Sequence, residues 1–139
     1  MGQVKAPDRA LVGLAIIALL QGVALLGYAL FDVVEAVRVG ITGPAEVSNA
    51  PALILLVVIT AAFGVALLLV ARGWWRAQRW ARAPFILTQL TFGLIGYELS
   101  QSDGSVERVV GYACVLVAIL GLVLSFAPAV SRAIDEPAD

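Results

Sequence analysis

The chain has 139 residues, 61% of them hydrophobic and 14% charged, with a formal net charge of −1. Soluble domains run at roughly 45–50% and 25% on the same measures, so the apolar excess excludes a soluble globular enzyme and points to a bilayer. The lone cysteine, Cys114, excludes an intrachain disulfide and a CxxC redox pair, the lack of histidine excludes imidazole catalysis, and the balanced charge argues against a nucleic-acid partner.

A helix crosses a hydrocarbon core with about 20 apolar residues. Lys5 and Arg9 precede the first uncharged run, 11–31. That run is longer than the roughly 7–15 residues of a cleavable signal core, which favours a retained helix over the cleavage pattern at Val34–Ala36. Asp32, Glu35 and Arg38 follow at helical spacing, so the first helix is expected to continue past the membrane as a charged face. Gly and Pro make 39–51 an irregular loop, and Ser48, Asn49 and Pro51 form a cap and first-turn pattern for a second run, 51–71. A third, shorter run covers 84–99, opened by Pro84 and extended toward the headgroups by Trp80–Ala83. Gln101–Gly104 reads as a tight turn, 109–127 as the fourth run, and Pro128 as its stop. The expected architecture is all-α: one integral membrane domain over 1–139, a four-helix transmembrane bundle running up-down-up-down.

Lys5, Arg9, Arg72, Arg76, Arg79, Arg82 and Arg132 fall on one side of this arrangement, and Arg38 and Arg108 on the other. The positive-inside rule therefore predicts N-in and C-in. Asp32, Glu35, Glu46, Asp103 and Glu107 lie on the outer side.

Three groups of residues are candidates for function. The turn 72–84 interleaves Arg72, Arg76, Arg79 and Arg82 with Trp74, Trp75 and Trp80. Tryptophan favours the headgroup level and arginine attracts anionic lipid, so these seven are candidates for lipid or partner docking; an ordinary aromatic belt is the plainer reading. At about 1.5 Å per residue, Gln21 and Thr60 fall near mid-depth and Gln89 lower, which makes Gln21, Thr60 and Gln89 a candidate polar cluster. Asp32, Glu35 and Glu98 are a candidate acidic mouth on the outer side, against the plainer reading of a solvated rim. Small and polar residues also align on helix faces: Gln89, Gly93, Gly96 and Ser100; Ala18, Gln21, Gly22, Leu25, Ala29 and Asp32; Cys114, Ala118, Gly121 and Ser125. Such stripes serve helix packing more often than pores.

The segment GWWRAQRWARAPFILTQL, followed by a short helix, a polar turn and a last apolar helix, resembles the uncharacterised small four-helix integral membrane proteins of actinobacteria through Arg82, Pro84, Gln89 and Leu90. The resemblance covers the C-terminal half. It implies a bacterial cytoplasmic membrane address and no activity. Signatures of membrane enzymes are missing: there is no histidine for a lipid phosphatase, no paired cysteine for a quinone-linked disulfide enzyme and no clustered aspartate motif for a CDP-alcohol transferase. Small multidrug exporters carry a carboxylate in mid-helix one, where Gln21 stands here. The expectation is a non-enzymatic accessory or structural membrane component, with no cofactor and no metal. Its partners are membrane lipids and a larger membrane protein or a second copy. The alternative is a minimal homo-oligomeric small-molecule or ion transporter.

Overall fold

A computed structural model describes residues 9–40 and 50–135. The described residues form five α-helices: α1 (Arg9–Val39), α2 (Ala50–Trp75), α3 (Arg82–Ser100), α4 (Ser105–Ser125) and α5 (Pro128–Asp135), with a 3-10 turn at Arg79–Ala81. Three of them, α1, α2 and α4, are long and apolar enough to cross a membrane. These helices mark a membrane-embedded helical protein. The third expected span is helical over its whole length, but Gln89, Thr88, Thr91 and Glu98 dilute its apolar character below that of the other three.

The helix ends differ from the apolar runs for local reasons. α1 continues to Val39, since Asp32, Glu35 and Arg38 keep helical spacing after the apolar run ends. Gly40, at φ 78°, stops it with the left-handed residue that commonly closes a helix. α2 takes Pro51 into its first turn, where a missing N–H has no intrahelical role; the cap at Ser48 and Asn49 lies outside the described residues, as do Lys5 and Glu46. α4 begins at Ser105, ahead of its apolar run, with Glu107 placed favourably in the first turn. Pro128 ends α4 and also starts α5, for which Ala127 accepts the N–H groups of Val130 and Ser131. α5 buries Val130 and Ile134, one turn apart, and exposes Arg132 and Asp135.

The chain packs as two compact units, Met1–Ile17 with Val70–Asp139, and Ala18–Leu69. In the second unit α1 and α2 run antiparallel and meet at two glycines. A Cβ on Gly22 would lie 2.9 Å from the Gly64 carbonyl oxygen, and one on Gly64 would lie 2.8 Å from Leu26 Cγ. Small residues at a crossing let helix backbones approach, and van der Waals packing then supplies the association that hydrophobic burial cannot supply in lipid. Toward the far ends of the same pair, Val33, Ala36, Val37, Leu53, Ile54 and Val57 line an open apolar cleft of about 310 Å³. Leu55, Ile59 and Phe63 point outward from α2.

In the first unit α3 and α4 form a tight antiparallel hairpin. Gly96 faces Cys114 and Gly111, Gly93 faces Ala118, and Gln89 lies across Gly121. Each step along α3 is matched by a step back along α4, so the small-residue stripes of both helices meet along one seam. The start of α1 belongs to this unit: a Cβ on Gly13 would sit 3.6 Å from Leu124 Cδ1, near the end of α4.

Candidate functional site

The arginine–tryptophan turn is built on a closed helix end. After Trp75 the chain turns through Ala77, a non-glycine residue at φ 53°. Gln78 N–H donates to the Gly73 carbonyl (2.9 Å) and Ala77 N–H to the Trp74 carbonyl (3.0 Å), the paired bonds of a Schellman motif. Glycine at position 73 lets the chain fold back closely, since a Cβ there would lie 2.8 Å from Ala81 Cβ and 3.0 Å from the Trp80 ring. The left-handed conformation disfavours a side chain by roughly 1–2 kcal/mol. Ala77→Gly is therefore expected to raise stability by about 0.5–1 kcal/mol after the added freedom of the unfolded glycine is counted. A higher midpoint of thermal unfolding in mild detergent checks this.

The three tryptophans divide. Trp74 is fully buried and meets Phe85 edge to face, with ring centroids 5.5 Å apart and planes at 89°. It has no surface to offer a lipid or partner, because it lies on the face of α2 that also buries Leu67, Val70 and Ala71. Trp75 and Trp80 are exposed, and Trp80 Nε1 donates to Gln78 Oε1 (2.8 Å).

The four arginines divide as well. Arg79 Nε donates to the Ile134 carbonyl (3.2 Å) and its terminal nitrogen pairs with Asp135 (3.0 Å), so it caps the C-terminal end of α5. Arg82 reaches Ser131 Oγ (3.4 Å), and its guanidinium lies 5.4 Å from the centroid of the Phe126 ring. Together they fasten α5 beside the turn. Both members of the Arg79–Asp135 pair are exposed, which limits that bond's own worth; the buried Val130 and Ile134 carry the packing. Arg72 and Arg76 are exposed and make no side-chain hydrogen bond or ion pair among the described residues.

Gln89 is fully buried, with its side chain against Gly121. Gln21 is buried next to the Gly22–Gly64 crossing, and Thr60 lies one turn before Gly64 on α2. Neither glutamine is without an interaction partner. Gln21 and Thr60 belong to one unit and Gln89 to the other. Asp32 is half-buried, with Oδ2 shielded from solvent and without a hydrogen-bond partner among the described residues, whereas Glu35 and Glu98 are exposed; Glu98 belongs to a different unit from Asp32 and Glu35.

Several features carry weak signals in the sequence. Gly111 completes the α4 stripe one turn before Cys114, and it makes the closest approach of the hairpin. A Cβ there would meet Ser100 N at 2.5 Å, Gly96 O at 2.6 Å and the Leu99 carbonyl carbon at 2.9 Å. α5 is short and polar on one face, and its only signal is Val130 with Ile134 at i, i+4.

Comparison with protein families, with characterised proteins and with solved structures finds no match to this chain.

Proposed function

We propose that this chain is a small integral membrane protein without intrinsic catalysis, an accessory or structural component of a membrane complex in a bacterial cytoplasmic membrane. The observation that carries the reading is the use made of the polar and small residues of α3 and α4. Gln89, Gly93, Gly96, Gly111 and Gly121 meet in a helix seam, where they hold two helices together instead of lining a polar cavity. The open cleft of the α1–α2 pair is apolar. Large outward-facing side chains on every long helix suit contact with lipid or with another membrane protein.

The reading includes four spans with both termini on the cytoplasmic side. α3 has 19 residues, which rise about 28 Å against a core of about 30 Å. Its hydroxyl groups are compatible with lipid because they bond locally. Thr88 Oγ1 donates to the Pro84 carbonyl (2.7 Å), Thr91 Oγ1 to Leu87 (3.0 Å) and Ser100 Oγ to Tyr97 (2.6 Å). The start of α1 beside the end of α4, and α5 beside the arginine turn, favour one shared side for both termini and the basic turn. The Arg82, Pro84, Gln89 and Leu90 pattern adds the actinobacterial membrane address.

Gentle extraction at native expression level, followed by mass determination, tests the reading. A stoichiometric larger membrane protein is the expected companion. The shielded Oδ2 of Asp32, without a hydrogen-bond partner among the described residues, favours the second reading, a minimal transporter. A lone homo-oligomer whose ion or drug flux in liposomes is lost on Asp32→Asn would replace the accessory role with that one.

A further inference from the structure

We propose that the exposed face of the last turn of α2, formed by Arg72, Trp75 and Arg76, is a docking site for the phosphate of an anionic phospholipid. The inference rests on α2 crossing the membrane and is independent of any protein partner.

α2 carries no charge from Pro51 to Ala71, and Arg72 is the first charged residue after that run. A run of that length fills the hydrocarbon core, so the last turn of α2 stands at headgroup level. Arg72, Trp75 and Arg76 are spaced i, i+3, i+4 and therefore share a face. All three are exposed, while Gly73 and Trp74 in the same turn are buried on the other side.

The turn holds four guanidinium groups, and α5 occupies two of them through Ile134, Asp135 and Ser131. Arg72 and Arg76 have no such partner among the described residues. The helix end does not need them either, because the carbonyls of Arg72, Gly73 and Trp74 already accept N–H groups from Arg76, Gln78 and Ala77. Two neighbouring cations at the surface thus remain to be neutralised from outside. A guanidinium matches a phosphate oxygen pair with two parallel hydrogen bonds. The exposed Trp75 ring on the same face suits the glycerol and carbonyl layer below the phosphate. A bilayer supplies such phosphates at this level without any further recruitment.

The test uses the full-length protein in neutral detergent, titrated with phosphatidylglycerol or phosphatidylcholine and read as lipid adducts by native mass spectrometry. Phosphatidylglycerol should be retained in preference to phosphatidylcholine, and added salt should weaken that preference. Removing an arginine should lower phosphatidylglycerol affinity about fivefold, so that Arg72→Gln with Arg76→Gln loses about 25-fold. Arg79→Gln should leave it unchanged, since that side chain is committed to α5. The paired Arg72→Lys, Arg76→Lys variant keeps charge without the planar fork and should fall between, which guards against misfolding of the glutamine variant. Equal retention of both lipids, or full phosphatidylglycerol preference in the folded double glutamine variant, would overturn the site. Competition by inorganic phosphate at matched concentration would also overturn the lipid assignment, by making this a site for free anions.

Discussion

Gly111→Ala is expected to open the α3–α4 hairpin and to lower stability by about 2–3 kcal/mol, near the upper end of what overpacking a close contact does. The added Cβ would meet three backbone atoms, Ser100 N, Gly96 O and the Leu99 carbonyl carbon, all within 2.9 Å. A flexible side chain can swing away from an intruding methyl, but a helix backbone moves only as a whole. Relief therefore requires α3 to shift along much of its length, with loss of the Gly96–Cys114 and Gln89–Gly121 contacts. Gly93→Ala is the matched control on the same seam. Its Cβ would lie 3.5 Å from Ala118 Cβ, an ordinary contact, and alanine is the better helix former by about 1 kcal/mol. Gly93→Ala should be neutral or stabilising. Equilibrium unfolding of the two variants in mild detergent separates them, and equal behaviour would mean that the hairpin is not closed at Gly111.

The legibility of this fold follows the strength of each physical signal. The runs at 11–31, 51–71 and 109–127 announce α1, α2 and α4, because lipid solubility demands a long uncharged stretch and little else produces one. Helix ends are less legible. Ser105–Arg108, with Val106 its one apolar residue, lies ahead of the apolar run yet joins α4, since backbone hydrogen bonds propagate a helix beyond the residues that require it. α5 is hidden by its brevity and by the double role of Pro128, which closes one helix and opens the next. At the candidate site, composition identifies the cluster of arginine and tryptophan but leaves its division between inside and outside unresolved. Helical phase supplies that division. Leu67, Val70, Ala71 and Trp74 follow the i, i+3, i+4, i+7 pattern of one buried face, which leaves Arg72, Trp75 and Arg76 outward. What phase does not supply is the assignment of Arg79 and Arg82 to α5, which depends on a tertiary contact across about fifty residues.

Trp74→Ala is expected to cost about 3–5 kcal/mol, the usual range for emptying a fully buried tryptophan site. The side chain is the largest fully buried one among the described residues. Its edge-to-face contact with Phe85 joins the end of α2 to the first turns of α3, so the cavity would open where the chain reverses. Trp74→Phe tests which property of the ring matters. The indole Nε1 is buried and has no hydrogen-bond acceptor among the described residues, and an unsatisfied buried donor is unfavourable by roughly 1–3 kcal/mol. Phenylalanine removes that donor while losing part of the ring volume, two effects of opposite sign and similar size. Trp74→Phe should therefore stay within about 1 kcal/mol of the parent protein. Trp75→Ala, at an exposed ring, should leave stability nearly unchanged. Unfolding midpoints in mild detergent give the order. A Trp74→Phe loss as large as that of Trp74→Ala would mean that the indole N–H has an acceptor after all, and equal losses for Trp74→Ala and Trp75→Ala would refute the division of the three tryptophans between core and surface.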